Sequence, residues 1–211
     1  MVNTKLSNIL KHFEQMYKFI FVRLYHLLSN SKVEWADIEK ENETFDTLRK
    51  KYFFPLLFLL SVVTFWGICL APNDLQEVEH QTESIGWMQQ ELKGVLLVLT
   101  IYFTSFFLTI IVVGLFLTRH YGIKDQNAAS RILVFPFCIL MVSNIPGLLW
   151  EDLEFLVYVA MIPCFFVTWT GVDVVCHSLE EEKRQRFSWF AFITFVVVFI
   201  FINLQFTKII Q

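Results

Sequence analysis

Charge is scarce in this chain. Asp, Glu, Lys and Arg together make up 18% of its 211 residues, where a soluble domain carries about a quarter. Glycine and proline are also few, at seven and five, which excludes a collagenous, low-complexity or disordered chain. The four cysteines, Cys69, Cys138, Cys164 and Cys176, include no Cys-x-x-Cys pair. Each falls within or at the end of an apolar run, so neither a disulfide framework nor a thiolate metal site is expected. They read as small fillers between helices. Missing too are a Gly-rich phosphate loop, a Gly-x-Ser-x-Gly elbow and a His-Glu-x-x-His helix. The five histidines, at 12, 26, 80, 120 and 177, are scattered over different segments. With no nucleophile–base pair and no ligand cluster, the chain is expected to be non-enzymatic and to hold no cofactor or metal. Its basic residues are not massed as nucleic-acid binders mass them, so nucleic acid is not an expected partner.

What the chain has is long apolar runs. Hydrophobic residues make up 55% of it, 24 of them Phe, and their bunching marks lipid rather than water as the solvent. The first run, residues 53–71, is FFPLLFLLSVVTFWGICLA. Nineteen residues at about 1.5 Å each span about 28 Å, close to the hydrocarbon thickness of a bilayer. Pro55 sits in its first turn, where a missing N–H costs little. Four more runs follow at about 94–117, 132–150, 155–175 and 187–206. The third is broken by Pro136 and Pro146. Residues 73–93 read as a polar, acidic loop before the second run.

Residues 1–52 mix charge throughout, which is not the build of a cleaved signal peptide. Over 5–29, Leu6, Leu10, Phe13, Tyr17, Phe21, Leu24 and Leu28 recur at helical spacing, with Lys11, Glu14, Lys18, Arg23 and His26 opposite them. This predicts an amphipathic helix with Leu10, Phe13, Phe21 and Leu24 on its apolar face. That face suits an anionic membrane surface and equally suits the ends of the chain's own spans. Ser29-Asn30-Ser31 breaks the pattern. A second polar helix follows from Val33, placing Trp35 and Ile38 on one face, and Arg49-Lys50-Lys51 borders the first run.

Orientation follows from counting Lys and Arg. With five spans, segments 1–52, 118–131 and 178–186 lie on one side and hold nine, three and three, fifteen of the seventeen; only Lys93 and Lys208 lie on the other. The positive-inside bias puts the N-terminus in the cytoplasm and the C-terminus outside. The expected architecture is therefore an all-α integral membrane bundle of five transmembrane helices, 53–211, preceded by amphipathic cytoplasmic helices over 1–52.

Ionisable groups inside apolar runs are the default functional candidates. Asp173 and His177, four apart near the end of the fourth run, would form a proton- or ion-binding pair, or would simply be solvated at the interface. Asn144, beside Pro146, would cap a broken helix. Thr100, Thr104, Ser105, Thr109, Thr168 and Thr170 read as helix-packing hydroxyls satisfied on the preceding turn.

Several stretches resemble the Yip family of five-span membrane proteins, whose eukaryotic members associate with Rab-type small GTPases. HLLSNSKVEWADIEKEN is similar to the family's short motif before the first span, and YFFPLLFLLSVV carries its early Pro. RHYGIKDQNAASRILVFPFCILMVSNIPGLL resembles the family's Gly-containing loop, small residues, aromatic-Pro step and later Ile-Pro. TGVDVVCHSL fits its Gly near the end of the fourth span. The long soluble tail of the eukaryotic members is not matched, so the resemblance is to the compact prokaryotic type, in the bacterial inner membrane. It implies a five-span helical fold and a protein partner or homo-oligomer, with membrane lipid around it, and no reaction. The expected function is a scaffold or adaptor. The alternative is a small-solute or ion transport component, with Asp173, His177 and the broken third span as its pathway.

Overall fold

The computed structural model describes residues 2–70, 84–123, 125 and 127–210, and among them every regular element is helical. Helix α1 (Val2–Ser29) is followed by α2 (Ser31–Glu41), the boundary falling at the expected Ser-Asn-Ser break. Asn42 ends α2 with φ 45°, a left-handed conformation that Asn tolerates better than most residues. A short α3 (Phe45–Leu48) begins at Thr44, whose hydroxyl caps the Thr47 N–H. It runs through a π-helical turn, Arg49–Phe53, into α4 (Phe54–Leu70). Pro55 has no N–H to give the preceding turn, and that turn widens, with the Phe54 N–H reaching the Arg49 carbonyl.

The rest of the chain is α5 (Ser84–Tyr121), α6 (Ala128–Leu149), a 3-10 turn Glu151–Leu153, α7 (Leu156–Val159), α8 (Met161–Val175) and α9 (Glu181–Ile210). Four stretches are long and apolar enough to cross a membrane: Leu92–Tyr121, Ala128–Leu149, Leu156–Val175 and Glu181–Phe206. This is an integral membrane protein by length and composition of its helices. α4 has 17 described residues, and residues 71–83 after it lie outside those described.

Two expectations need correction. Residues 84–93 are helical, so the helix that carries the second run starts well before Gly94 and the later part of the polar stretch is a helical extension. The remainder of the acidic segment, 73–83, lies outside the described residues. The third run is not broken, because α6 continues through both Pro136 and Pro146. A helix buried against its neighbours keeps its course through a proline where packing holds the chain in place. The Cys164 thiol donates to the Pro136 carbonyl at 3.3 Å, tying α8 to α6. The interruption falls instead in the fourth run, between α7 and α8. Pro163 lies in the first turn of α8, where it withholds no bond that the helix would otherwise make.

α6 is the axis of the bundle. Every residue from Ala128 to Met141 is buried, and α4, α5 and α8 pack around it, with α9 closing on α5 and α8. The centre is aromatic. Phe53 stacks on Phe106 at 3.8 Å, Phe106 meets Phe137 edge-on at 5.3 Å, and Phe137 meets Phe195 at 4.7 Å. Thr64, Thr109, Ser143 and Thr168 return their hydroxyls to carbonyls four residues earlier, which leaves the helix contacts to shape and dispersion. Phe58, Phe65 and Trp66 on α4, Ile111 and Leu115 on α5, and Ile193, Val197 and Phe201 on α9 face outward.

α4 runs beside α6 to its far end. A Cβ on Gly67 would lie 2.1 Å from the Leu148 carbonyl oxygen, so only glycine permits this approach. The starts of α4, α6 and α9 and the ends of α5 and α8 share one end of the bundle, where α1–α3 sit. Tyr121 against Phe187, Phe45 bonded to Asn127, and Arg184 paired with Asp173 fix that arrangement.

Candidate functional site

The shared end of the bundle carries nearly all the polar chemistry, and Trp35 organises it. Its indole is fully buried, and Nε1 donates to the Val167 carbonyl at 3.0 Å. The ring meets Phe135 edge-on at 5.5 Å and occupies the space above Gly171, whose Cβ would lie 2.5 Å from Trp35 Cζ2. α2 is thereby wedged against α8 rather than lying free in solvent.

Two buried arginines bind the amino-terminal helices together and to the bundle. Arg23 Nε lies 2.9 Å from Glu34 Oε1, and its Nη1 donates to both oxygens of Glu41 at 2.8 and 3.0 Å. Arg131, at the start of α6, pairs with Asp125, bonds the Asn42 side chain and lies 3.5 Å from Glu39. Burying such a charge is costly unless it is surrounded by partners, and removing one partner strands the other. Beside them, burial pushes the Cys176 thiol up to about 12. At the edge of the same region the Tyr17 hydroxyl donates to the Pro55 carbonyl at 3.0 Å, tying α1 to α4.

Arg23 is therefore not on the polar, solvated face of α1. Ile20, Leu24 and Leu27 are buried beside it, Leu24 being 4% exposed. Leu10, Phe13 and Phe21 are exposed, Leu10 to 62%, so Leu24 does not share their outward face. The apolar residues of this helix are divided: one set is buried in the protein, and the other is uncovered. Leu10, Phe21 and Leu28, spaced i, i+11 and i+18, form a stripe on the uncovered side.

Asp173 and His177 are not brought together. α8 ends at Val175, and His177 lies in the following turn with its Nδ1 3.1 Å from the Val174 carbonyl. Asp173 pairs instead with Arg184 of α9, Nε to Oδ1 3.0 Å. That pair lies in a cavity of about 180 Å³ lined by Trp169, Asp173, Glu181, Arg184, Gln185 and Ser188. Arg184 was not a candidate from the sequence, because a basic residue before a span is expected there on orientation grounds alone. Asn144 does not cap a break. It sits within α6 near the Tyr102 hydroxyl, which is buried and makes no well-directed hydrogen bond.

Cys138, Cys164 and Cys176 are buried free thiols. Among the described residues, no three His, Cys, Asp or Glu side chains gather as a metal site would require. No protein-family model, curated protein or solved structure matches the chain.

Proposed function

We propose that the protein is a non-enzymatic scaffold or adaptor of the membrane. It has five spans, a cytoplasmic N-terminus and a C-terminus outside, in a bacterial inner membrane. The observation that carries this reading is the divided helix α1. Ile20, Leu24 and Leu27 fix its second half to the bundle, while Leu10, Phe13, Phe21 and Leu28 are left without protein cover. A helix held that firmly at the membrane border presents its free apolar side to the headgroup–acyl boundary, or to a protein partner or second copy docked there. Counting α4 as the fifth span rests on its apolar run and on its reach to Leu148. Fifteen of the seventeen Lys and Arg then fall on the cytoplasmic side. The Yip-like motifs agree with this reading, since HLLSNSKVEWADIEKEN contains the Trp35 wedge and TGVDVVCHSL contains the glycine beneath it.

Transport through Asp173 and His177 has less support. The two groups are apart, Asp173 is already paired at the border, and the bundle centre is filled by phenylalanine.

The test is a fluorophore attached through Leu10→Cys or Phe21→Cys in the full chain in proteoliposomes. Quenching by a lipid-borne nitroxide exceeding quenching by aqueous iodide is expected. Dominant iodide quenching at both positions would remove the membrane-surface role.

A further inference from the structure

The cavity between α8 and α9 has charge, depth and position that match one class of ligand. We propose that it binds the phosphoethanolamine headgroup of a membrane lipid. The inference depends on the chain spanning the membrane and is independent of the scaffold reading.

The lining residues form two facing rows. Trp169 and Asp173 lie one turn apart on α8, while Glu181, Arg184, Gln185 and Ser188 share one side of the first two turns of α9. From Ser188 to Glu181 is about 10 Å along the helix at 1.5 Å per residue. The apolar run of α9 begins at Phe187, so the Ser188 end lies at the hydrocarbon border and Glu181 lies farthest out. A lipid headgroup has the same polarity of layout, with phosphate next to the glycerol and the amine beyond it.

Each part of that headgroup meets a complementary group. Arg184 has donor capacity left over. Its Nε approaches Asp173 at 3.0 Å without a well-directed hydrogen bond, and its Nη1 reaches the His177 and Leu179 carbonyls only at 3.5 Å. A guanidinium in that state suits a phosphate oxygen. Asp173 and Glu181 bring two negative charges against one positive, so the site has a place for one cation. Among the described residues, Glu181 is engaged by the Gln185 amide at 3.4 Å. Below the cavity, Phe165, Trp169 and Trp189 form an aromatic cluster, with Phe165 5.0 Å from Trp189 and Trp169 6.1 Å from it. Trp189 is exposed on its outer side, as expected where aromatic rings meet lipid at headgroup depth.

The chemistry discriminates among common headgroups. A primary ammonium donates hydrogen bonds to Glu181 and Asp173, whereas a trimethylammonium donates none. A glycerol headgroup carries no cation, so its phosphate joins two carboxylates with Arg184 alone to offset three negative charges.

The experiment is native mass spectrometry of the full chain in micelles holding equal amounts of phosphatidylethanolamine, phosphatidylcholine and phosphatidylglycerol. Retention of phosphatidylethanolamine about fivefold above the other two is expected, the size of one partly exposed ion pair. Glu181→Gln should abolish the preference over phosphatidylcholine, and Arg184→Gln should weaken retention of both. Glu181 is exposed and its bond to Gln185 is long, so its variant remains readable if the arginine variant fails to fold. Equal retention of the three lipids by the wild type, or a preference that survives Glu181→Gln, would overturn the proposal.

Discussion

Gly171 has no side chain because Trp35 occupies the space. Alanine there would place Cβ 2.5 Å from a ring that is also held by its hydrogen bond to Val167. The indole has nowhere to move without opening the α2–α8 seam. Gly171→Ala should therefore cost about 1–3 kcal/mol and lower the thermal midpoint in detergent, and an unchanged midpoint would mean that the seam yields freely. Leu24→Ala should cost about 3 kcal/mol as a buried cavity, whereas Leu10→Ala should leave stability nearly unchanged, and thermal unfolding of the two variants separates the cases. Cys176 gives a pH-linked check. Burial first, then the nearby Glu39 carboxylate, pushes its thiol up to about 12, so at pH 7–8 it stays protonated and unreactive. Site-resolved maleimide labelling should find Cys176 unmodified until the protein is denatured; rapid native labelling would contradict the closed seam.

At the scale of elements, periodicity located helices better than it located their faces or ends. The Ser29-Asn30-Ser31 break and the apolar runs of α5, α6, α8 and α9 were legible because each is long and strongly patterned. The start of α5 was not, since SIGWMQQELK is polar enough to read as loop although its helix is continuous with a span. Nor was the inward turn of Arg23. Its partners Glu34 and Glu41 lie 11 and 18 residues away on another helix, and no local pattern connects them. The same limit applies to Asp173, whose spacing to His177 held meaning only if α8 continued past Val175. Pro136 and Pro146 predict a break in α6, but the helix is packed on all sides from Ala128 to Met141 and keeps its course. The close run of α4 beside α6 offers a direct check. Gly67→Val should disrupt that pair strongly, because even a Cβ meets the Leu148 carbonyl at 2.1 Å, and its yield of folded protein should fall well below that of Phe58→Val, which changes an exposed position.

The whole molecule is a phenylalanine-filled bundle with its amino-terminal helices locked across one end. Such a centre should conduct nothing. Proteoliposomes loaded with a pH-sensitive dye should show no proton flux above empty vesicles, with Asp173→Asn indistinguishable from wild type; a flux abolished by that substitution would restore the transport reading. The central claim, five spans with the locked helices in the cytoplasm, is tested most directly by the side on which the C-terminus emerges. Fusions of alkaline phosphatase, active only outside the cytoplasm, and of green fluorescent protein, fluorescent only inside it, would be placed after Gln211 in bacterial cells. Active phosphatase and dark fluorescent protein are expected. The reverse pattern would mean either an even number of crossings, with α4 failing to span, or five crossings with the amino-terminal helices on the other side.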